Sequence, residues 1–417
     1  MSRRFLDACY ELRAFQALRH REYRLLCYGQ TAGSMGTWMD EVTRGWLVYE
    51  LTDSVAQLGF VRGIQALPFL LLSPIAGSFV DRYSRKGVLV ITQFLHALIF
   101  AATALLVVTG EIRIWHIYVM SVFVAVVQVF QQPARGAMIS DSVPREVLTN
   151  AIGLNALVFN VARTLGPALA GGIIVLLGTG GTFAVQALFL FLAVAWTLPM
   201  RAGTRPAAGA AGGATQRGSF GQSIIEGWRF SWKNEAVRAS LACTMLASLF
   251  IVPFTALMPV FARDLLAVGA DGQGLLLTAW GVGAFLSAAL ISLVGERLPR
   301  GLMMFGSVVL YGLVIMVFAA SPWFYLSLAV MLLAGLCQPL SNALVQTVIQ
   351  SQAPRELHGR TMALFSMHHV LITAGSVLLG SVAVLVGPRW AMALMGATGA
   401  ISIVLVMAAM PKARHIR

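Results

Sequence analysis

Asp40, Glu41, Arg44, Arg62 and Arg163 interrupt long apolar runs in a chain of which only 11% is charged. Ionised side chains at lipid depth cost several kcal/mol unless paired or hydrated, so such positions mark proton sites, anion sites or internal ion pairs. A carboxyl group among apolar neighbours has its pKa raised toward neutrality and can take up and release a proton. Asp40 and Arg44 are spaced i,i+4 and share a helical face, whereas Glu41 points about 100° away, which leaves one acid able to titrate while the other is paired. Arg44 and Arg62 come to similar depth, roughly two helical turns in, and could face one another across the first two helices. Three arginines against two acids leave a positive surplus that suits an anionic or polyphenolic ligand if all five line one cavity. A self-neutralising set of structural salt bridges is the alternative, most of all for Arg163.

Other polar positions form stripes. Gln128, Gln131, Gln132 and Arg135 fall in the fourth apolar run, Asn155 and Asn160 in the fifth, and Gln338, Asn342 and Gln346 in the tenth. The last three recur every four residues and so share one helix face, where they could bind a ligand or bond between helices. His368 and His369 are adjacent and diverge around a helix, which argues against a shared metal site. No cysteine pair has ligand spacing, so no metal or other cofactor is expected.

The elements that must carry these groups are membrane helices. The chain is 58% hydrophobic with mean hydropathy +0.78, outside the range of a soluble domain. About 20 apolar residues span the hydrocarbon core, and twelve such windows are present, near 22–51, 54–80, 88–109, 115–139, 149–177, 182–200, 238–263, 271–295, 301–320, 323–349, 360–386 and 388–410. The net charge of +13 follows membrane sidedness rather than a nucleic-acid surface. With the N-terminus inside, 24 of the 30 Lys and Arg fall on cytoplasmic ends or loops, Arg135 among them. The remaining six are Arg44, Arg62, Arg113, Arg163, Arg263 and Arg389. This positive-inside asymmetry predicts a multi-pass protein of the inner membrane with both termini cytoplasmic.

The organisation is duplicated. Residues 201–237 begin with a Gly- and Ala-rich stretch that reads as a cytoplasmic linker followed by an amphipathic segment, and they divide the spans into 22–200 and 238–410. Residues 1–21 form an amphipathic leader on the inner surface, and 411–417 a basic tail. Pro144-Arg-Glu recurs as Pro354-Arg-Glu, 210 residues on, and Gln132-Pro133 as Gln338-Pro339. Asp81-Arg82-x-x-Arg85 is matched by Glu296-Arg297-x-x-Arg300, with Pro299 degrading the second copy. Two repeats of six spans are how many secondary transporters are built, with ligands near the midplane.

Gly77-Ser-Phe-Val-Asp81-Arg82-Tyr-Ser-Arg85-Lys86 joins the second and third spans. It resembles the corresponding loop of the major facilitator superfamily, Gly-x-Leu-Ala-Asp-Arg-x-Gly-Arg-Lys, departing at Phe79, Val80 and Ser84. The resemblance implies an all-α integral membrane fold of twelve transmembrane helices in two pseudo-symmetric six-helix bundles. It also implies a conformational gate in which Asp81 latches the halves on the cytoplasmic side and Arg85 pairs with an acid after the fourth span, either Asp141 or Glu146. Gly166-Pro167-Ala-Leu-Ala-Gly171-Gly172 resembles the Gly-Pro kink of proton-coupled drug antiporters, with three residues between Pro167 and the glycine pair where that pattern has two. Gly36-Thr-Trp-Met39, Trp46-Leu-Val-Tyr-Glu-Leu-Thr52, Pro133-Ala-Arg135 and Asn150-Ala151 resemble the enterobactin exporter-like branch.

The expected function is export of a small amphipathic or anionic molecule by alternating access, exchanged for protons, in a chain acting as a monomer without nucleic acid. Proton-coupled uptake and a non-transporting sensor or scaffold with the same fold are the alternatives. An enzyme is not expected, because no phosphate-binding loop or nucleophile constellation is present.

Overall fold

A computed structural model describes residues 13–203, 228–294, 300–354 and 357–415. Within them the chain is helical nearly throughout, because a backbone crossing lipid must satisfy its own hydrogen bonds. The helices are α1 (Arg21–Thr52), α2 (Val55–Ile64), α3 (Ala66–Arg82), α4 (Arg85–Val108), α5 (Ile114–Ser142), α6 (Leu148–Thr197), α7 (Glu235–Phe250), α8 (Gly269–Val294), α9 (Arg300–Ala320), α10 (Phe324–Gln352), α11 (His358–Ser366), α12 (His368–Val386) and α13 (Pro388–Ala409). Ten helical stretches among the described residues are long and apolar enough to cross a membrane.

One of these stretches holds two crossings, because α6 is interrupted at Gly178, whose φ of 69° is a conformation that glycine adopts without strain. The other addition is α1, 32 residues long, whose buried charges lower its hydropathy. Together these account for the twelve crossings that the sequence predicts.

Contacts sort the chain into two compact units, Met1–Leu47 with Leu67–Ala214, and Val48–Ala66 with Thr215–Arg417. The boundary therefore runs through α1, and α2 belongs to the second unit although it lies early in the chain.

In the first unit, the segment before α1 is tied to the start of α6. The backbone N–H of Ala17 donates to the Asn150 side chain at 2.9 Å, and the buried Tyr23 hydroxyl donates to the Ala151 carbonyl at 2.6 Å. Leu26, Val80, Leu89, Ala134, Met138 and Leu154 pack around that anchor. In the second unit, α8 and α10 approach so closely that a methyl group added at Gly335 would stand 1.9 Å from the Trp280 carbonyl oxygen. Small residues at such crossings let backbones meet without a side chain between them.

Candidate functional site

At the junction of α3 and α4, Ser84 caps the second helix by accepting a hydrogen bond from the Gly87 N–H at 3.1 Å. The same hydroxyl donates to the Gly203 carbonyl at 3.0 Å, and the Lys86 ammonium donates to the Met200 carbonyl at 2.6 Å. The departure from glycine at Ser84 thus supplies a cap and ties the loop to the residues after α6.

The Arg85 Nη1 donates to both carboxylate oxygens of Asp141, at 2.8 and 2.9 Å. Of the two acids offered by the sequence, Asp141 is the one that reaches it, while Glu146 sits exposed in the short turn Arg145–Val147. Asp81 stands at the edge of this pair, 3.9 Å from Arg85, with its side chain 54% exposed. Gly77 and Arg82 are also exposed. The second-half counterparts Glu296 and Arg297 lie outside the described residues, and Arg300 begins α9.

Deeper in the first unit, Asp40 and Arg44 form a buried ion pair one helical turn apart. Arg44 also donates to the Ser121 hydroxyl at 3.3 Å, which links α1 to α5. Next to Asp40 in sequence, Glu41 is only partly buried. Thr43, one position before Arg44, accepts a hydrogen bond at 2.8 Å from the Gln186 amide on α6.

The other candidates spread out. Arg163 lies over the Trp38 ring with 5.8 Å to its centroid, a cation–π geometry. Gly166 packs against the same residue, since a Cβ there would stand 2.7 Å from the Trp38 Cβ. Pro167 and Gly171 are buried and Gly172 is partly so, which fits a packed helix crossing. Arg62 is in the second unit and Arg44 in the first, so the five charged positions do not all fall within one unit. Gln128, Asn155, Gln338 and Asn342 are each partly buried.

One group was placed twice by the sequence reading and another escaped it. Arg135, counted there both in the polar stripe of the fourth run and among the inner anchors, is only 8% exposed. His96 on α4 is fully buried beside Phe100, with 4.6 Å between ring centroids. A signal existed in the polar pairs Gln93/His96 and Gln131/Arg135, each one turn apart in otherwise apolar runs.

In the second unit, Arg263 forms ion pairs with Asp53 and with Asp264, the latter at 3.0 Å from Nε. Its guanidinium lies 4.2 Å from the centre of the Tyr49 ring, and the Tyr49 hydroxyl donates to Asp264. Asp53 turns the chain between α1 and α2 with a φ of 47°, a left-handed conformation that aspartate tolerates better than most residues.

Comparison with known proteins places this arrangement among membrane carriers. The model of a family described as transmembrane secretion effector matches residues 12–416. The multidrug efflux pump Tap of Mycolicibacterium fortuitum is 25% identical over 366 residues, 86% of this chain and 88% of that one. The staphyloferrin A transporter of Staphylococcus aureus is 29% identical over 167 residues, 40% of this chain and 42% of that one. Among solved structures, a nucleoside transporter, NupG, superposes with a TM-score of 0.74 at 12% identity, covering 93% of this chain and 99% of that one. A bacterial homolog of the human lysosomal transporter Spinster gives 0.72 at 14% identity, covering 95% and 98%. At those identities the structures speak to the fold, which is that of the major facilitators.

Proposed function

For a chain that belongs to the transmembrane secretion effector family, and so is a multi-pass membrane transporter of small molecules, we propose export of an amphipathic or anionic compound in exchange for protons. The observation that carries the coupling is the buried Asp40–Arg44 pair. A carboxylate held at lipid depth by one arginine is stable while charged, and binding a proton cancels the attraction and frees the guanidinium. In this reading a proton arriving from outside neutralises Asp40, Arg44 turns to other partners, and the proton leaves on the inner side as the cycle resets. Glu41 is the second acid and serves as the relay between Asp40 and the aqueous path.

The export direction is supported by the efflux relative, which matches along most of both chains. Asp81, Arg85 and Asp141 act in this reading as the inner latch, with both termini in the cytoplasm and the chain working as a monomer in the inner membrane. Arg85 and Asp141 hold the loop, and the exposed Asp81 is the group left available to act as the latch.

Transport into inverted vesicles with an imposed pH gradient tests the coupling. Accumulation of an efflux substrate such as a fluorescent dye should fall when the gradient is collapsed, and Asp40→Asn should accumulate little with or without it. Accumulation that is indifferent to the gradient rules out proton exchange. Full activity of both Asp40→Asn and Glu41→Gln rules out these acids as the proton carriers.

A further inference from the structure

Arg44, Arg135 and Arg163 lie away from the ends of the helices of the first unit, and they are compensated differently. Arg44 has Asp40, and Arg163 lies over the Trp38 ring. Arg135 has neither an ion pair nor a hydrogen bond among the described residues, although it is nearly as buried as Arg44. Its Nη2 sits 4.0 Å from where a Cβ would stand on Gly33, so the guanidinium reaches α1 at a position with no side chain to block it. A guanidinium taken largely out of water without a counter-charge is unfavourable, and an anion that joins it relieves that cost.

Buried polar atoms without a hydrogen-bond partner lie on the neighbouring turns of α4 and α5. His96 is fully buried and neither of its ring nitrogens has a hydrogen-bond partner in the protein. Both Arg44 and Arg135 are near enough for their charges to act on it. Gln131, one turn before Arg135, has a buried side-chain nitrogen with no partner, and Gln93, one turn before His96, a buried side-chain oxygen. A guanidinium, an amide N–H and an imidazole N–H are all donors, and together they suit an oxyanion. The amide oxygen of Gln93 adds one acceptor, suited to a hydroxyl beside that oxyanion.

We propose that Arg135, His96 and Gln131 form an anion subsite inside the first unit that takes a carboxylate or comparable oxyanion of the cargo. The inference rests on the transporter reading above and narrows its substrate class to molecules carrying such a group. Arg135 is then a binding residue rather than an anchor of topology. The instability of its buried charge is relieved when the cargo arrives, which favours the loaded state.

Thermal unfolding of the purified full-length protein tests this without requiring transport. Benzoate and sulfate are the anionic probes, and benzamide is the neutral control of the same shape. The wild type should unfold at higher temperature with either anion, saturably, and not with benzamide. Arg135→Gln should abolish the anion shift, and without anion it should unfold at a higher temperature than the wild type. His96→Asn and Gln131→Leu should weaken the shift severalfold, and they serve as the test should Arg135→Gln fail to fold. Lys233→Gln, which removes an exposed charge elsewhere, controls for net charge.

An anion shift that survives in Arg135→Gln overturns the proposal, as does the absence of any shift in the wild type. A lower unfolding temperature of anion-free Arg135→Gln also overturns it, because the charge would then be compensated by the fold itself. Anion binding in a protein that fails to export leaves this subsite standing and removes the export reading. Export by a wild type that shows no anion shift does the reverse.

Discussion

Asp40–Arg44 in the first unit and Asp53–Arg263–Asp264 in the second are built from the same side chains and have opposite energetics. The first pair is buried, so each charge has given up its water and depends on the other. In the second cluster the Asp53 side chain is 72% exposed, water screens the ion pairs, and Arg263 lies over the Tyr49 ring. Burial, not the number of charges, decides which cluster can store a change in protonation as a change in structure. The exposed cluster joins residues 49 and 53 to residues 263 and 264, distant in sequence, so it suits a contact that breaks and reforms readily.

The sharpest way to break this comparison is to remove one partner of the buried pair. Asp40→Asn takes the carboxylate from beside a buried guanidinium and should destabilise the protein by about 3–5 kcal/mol, read from thermal unfolding. The double variant Asp40→Asn/Arg44→Gln should recover most of that loss while remaining inactive. A single variant as stable as the wild type would mean that the pair is hydrated.

Next comes Arg85–Asp141, in which one guanidinium nitrogen serves both carboxylate oxygens and both side chains are partly buried. Asp141→Asn should lower stability by about 1–2 kcal/mol, by loss of charge-assisted hydrogen bonds, with protease sensitivity rising first around Lys86 and Met200. Arg263→Gln should cost less, about 1 kcal/mol or under at low salt, and the difference from wild type should shrink as salt is raised. A salt-independent loss there would show that packing on Tyr49 outweighs the charge. Asp81→Asn should change stability least, because its carboxylate is exposed and only 3.9 Å from Arg85 at best. A transport defect in that variant, measured in vesicles beside an unchanged unfolding temperature, separates gating from folding.

The helices were legible because each crossing is written as an apolar run of fixed length, and the breaks fell at residues that end helices. Gly178, where α6 turns, lies in the gap expected between the fifth and sixth spans. The end of α5 was less legible. A hydropathy window stops near residue 139, whereas the helix runs to Ser142, and the approach of Arg135 to α1 at Gly33, which no window reveals, accompanies its burial. Spacing alone placed Asp40 and Arg44 together, since i,i+4 neighbours on one helix need no knowledge of the rest of the fold. It could not choose between Asp141 and Glu146, which lie in one short stretch but on opposite sides of a helix end.

By itself the sequence determined that lipid surrounds this protein, that twelve helices cross it, and which local charges share a helix face. These are consequences of the hydrocarbon thickness and the helical repeat, both of which act within a short stretch of chain. Only the tertiary structure decided that Arg85 pairs with Asp141, that Arg263 gathers Tyr49 and Asp53 from more than 200 residues away, and that His96 and Arg135 are buried in the first unit. Those facts depend on which helices become neighbours, and the desolvation and pairing of a charge are set by neighbours that the linear chain does not specify.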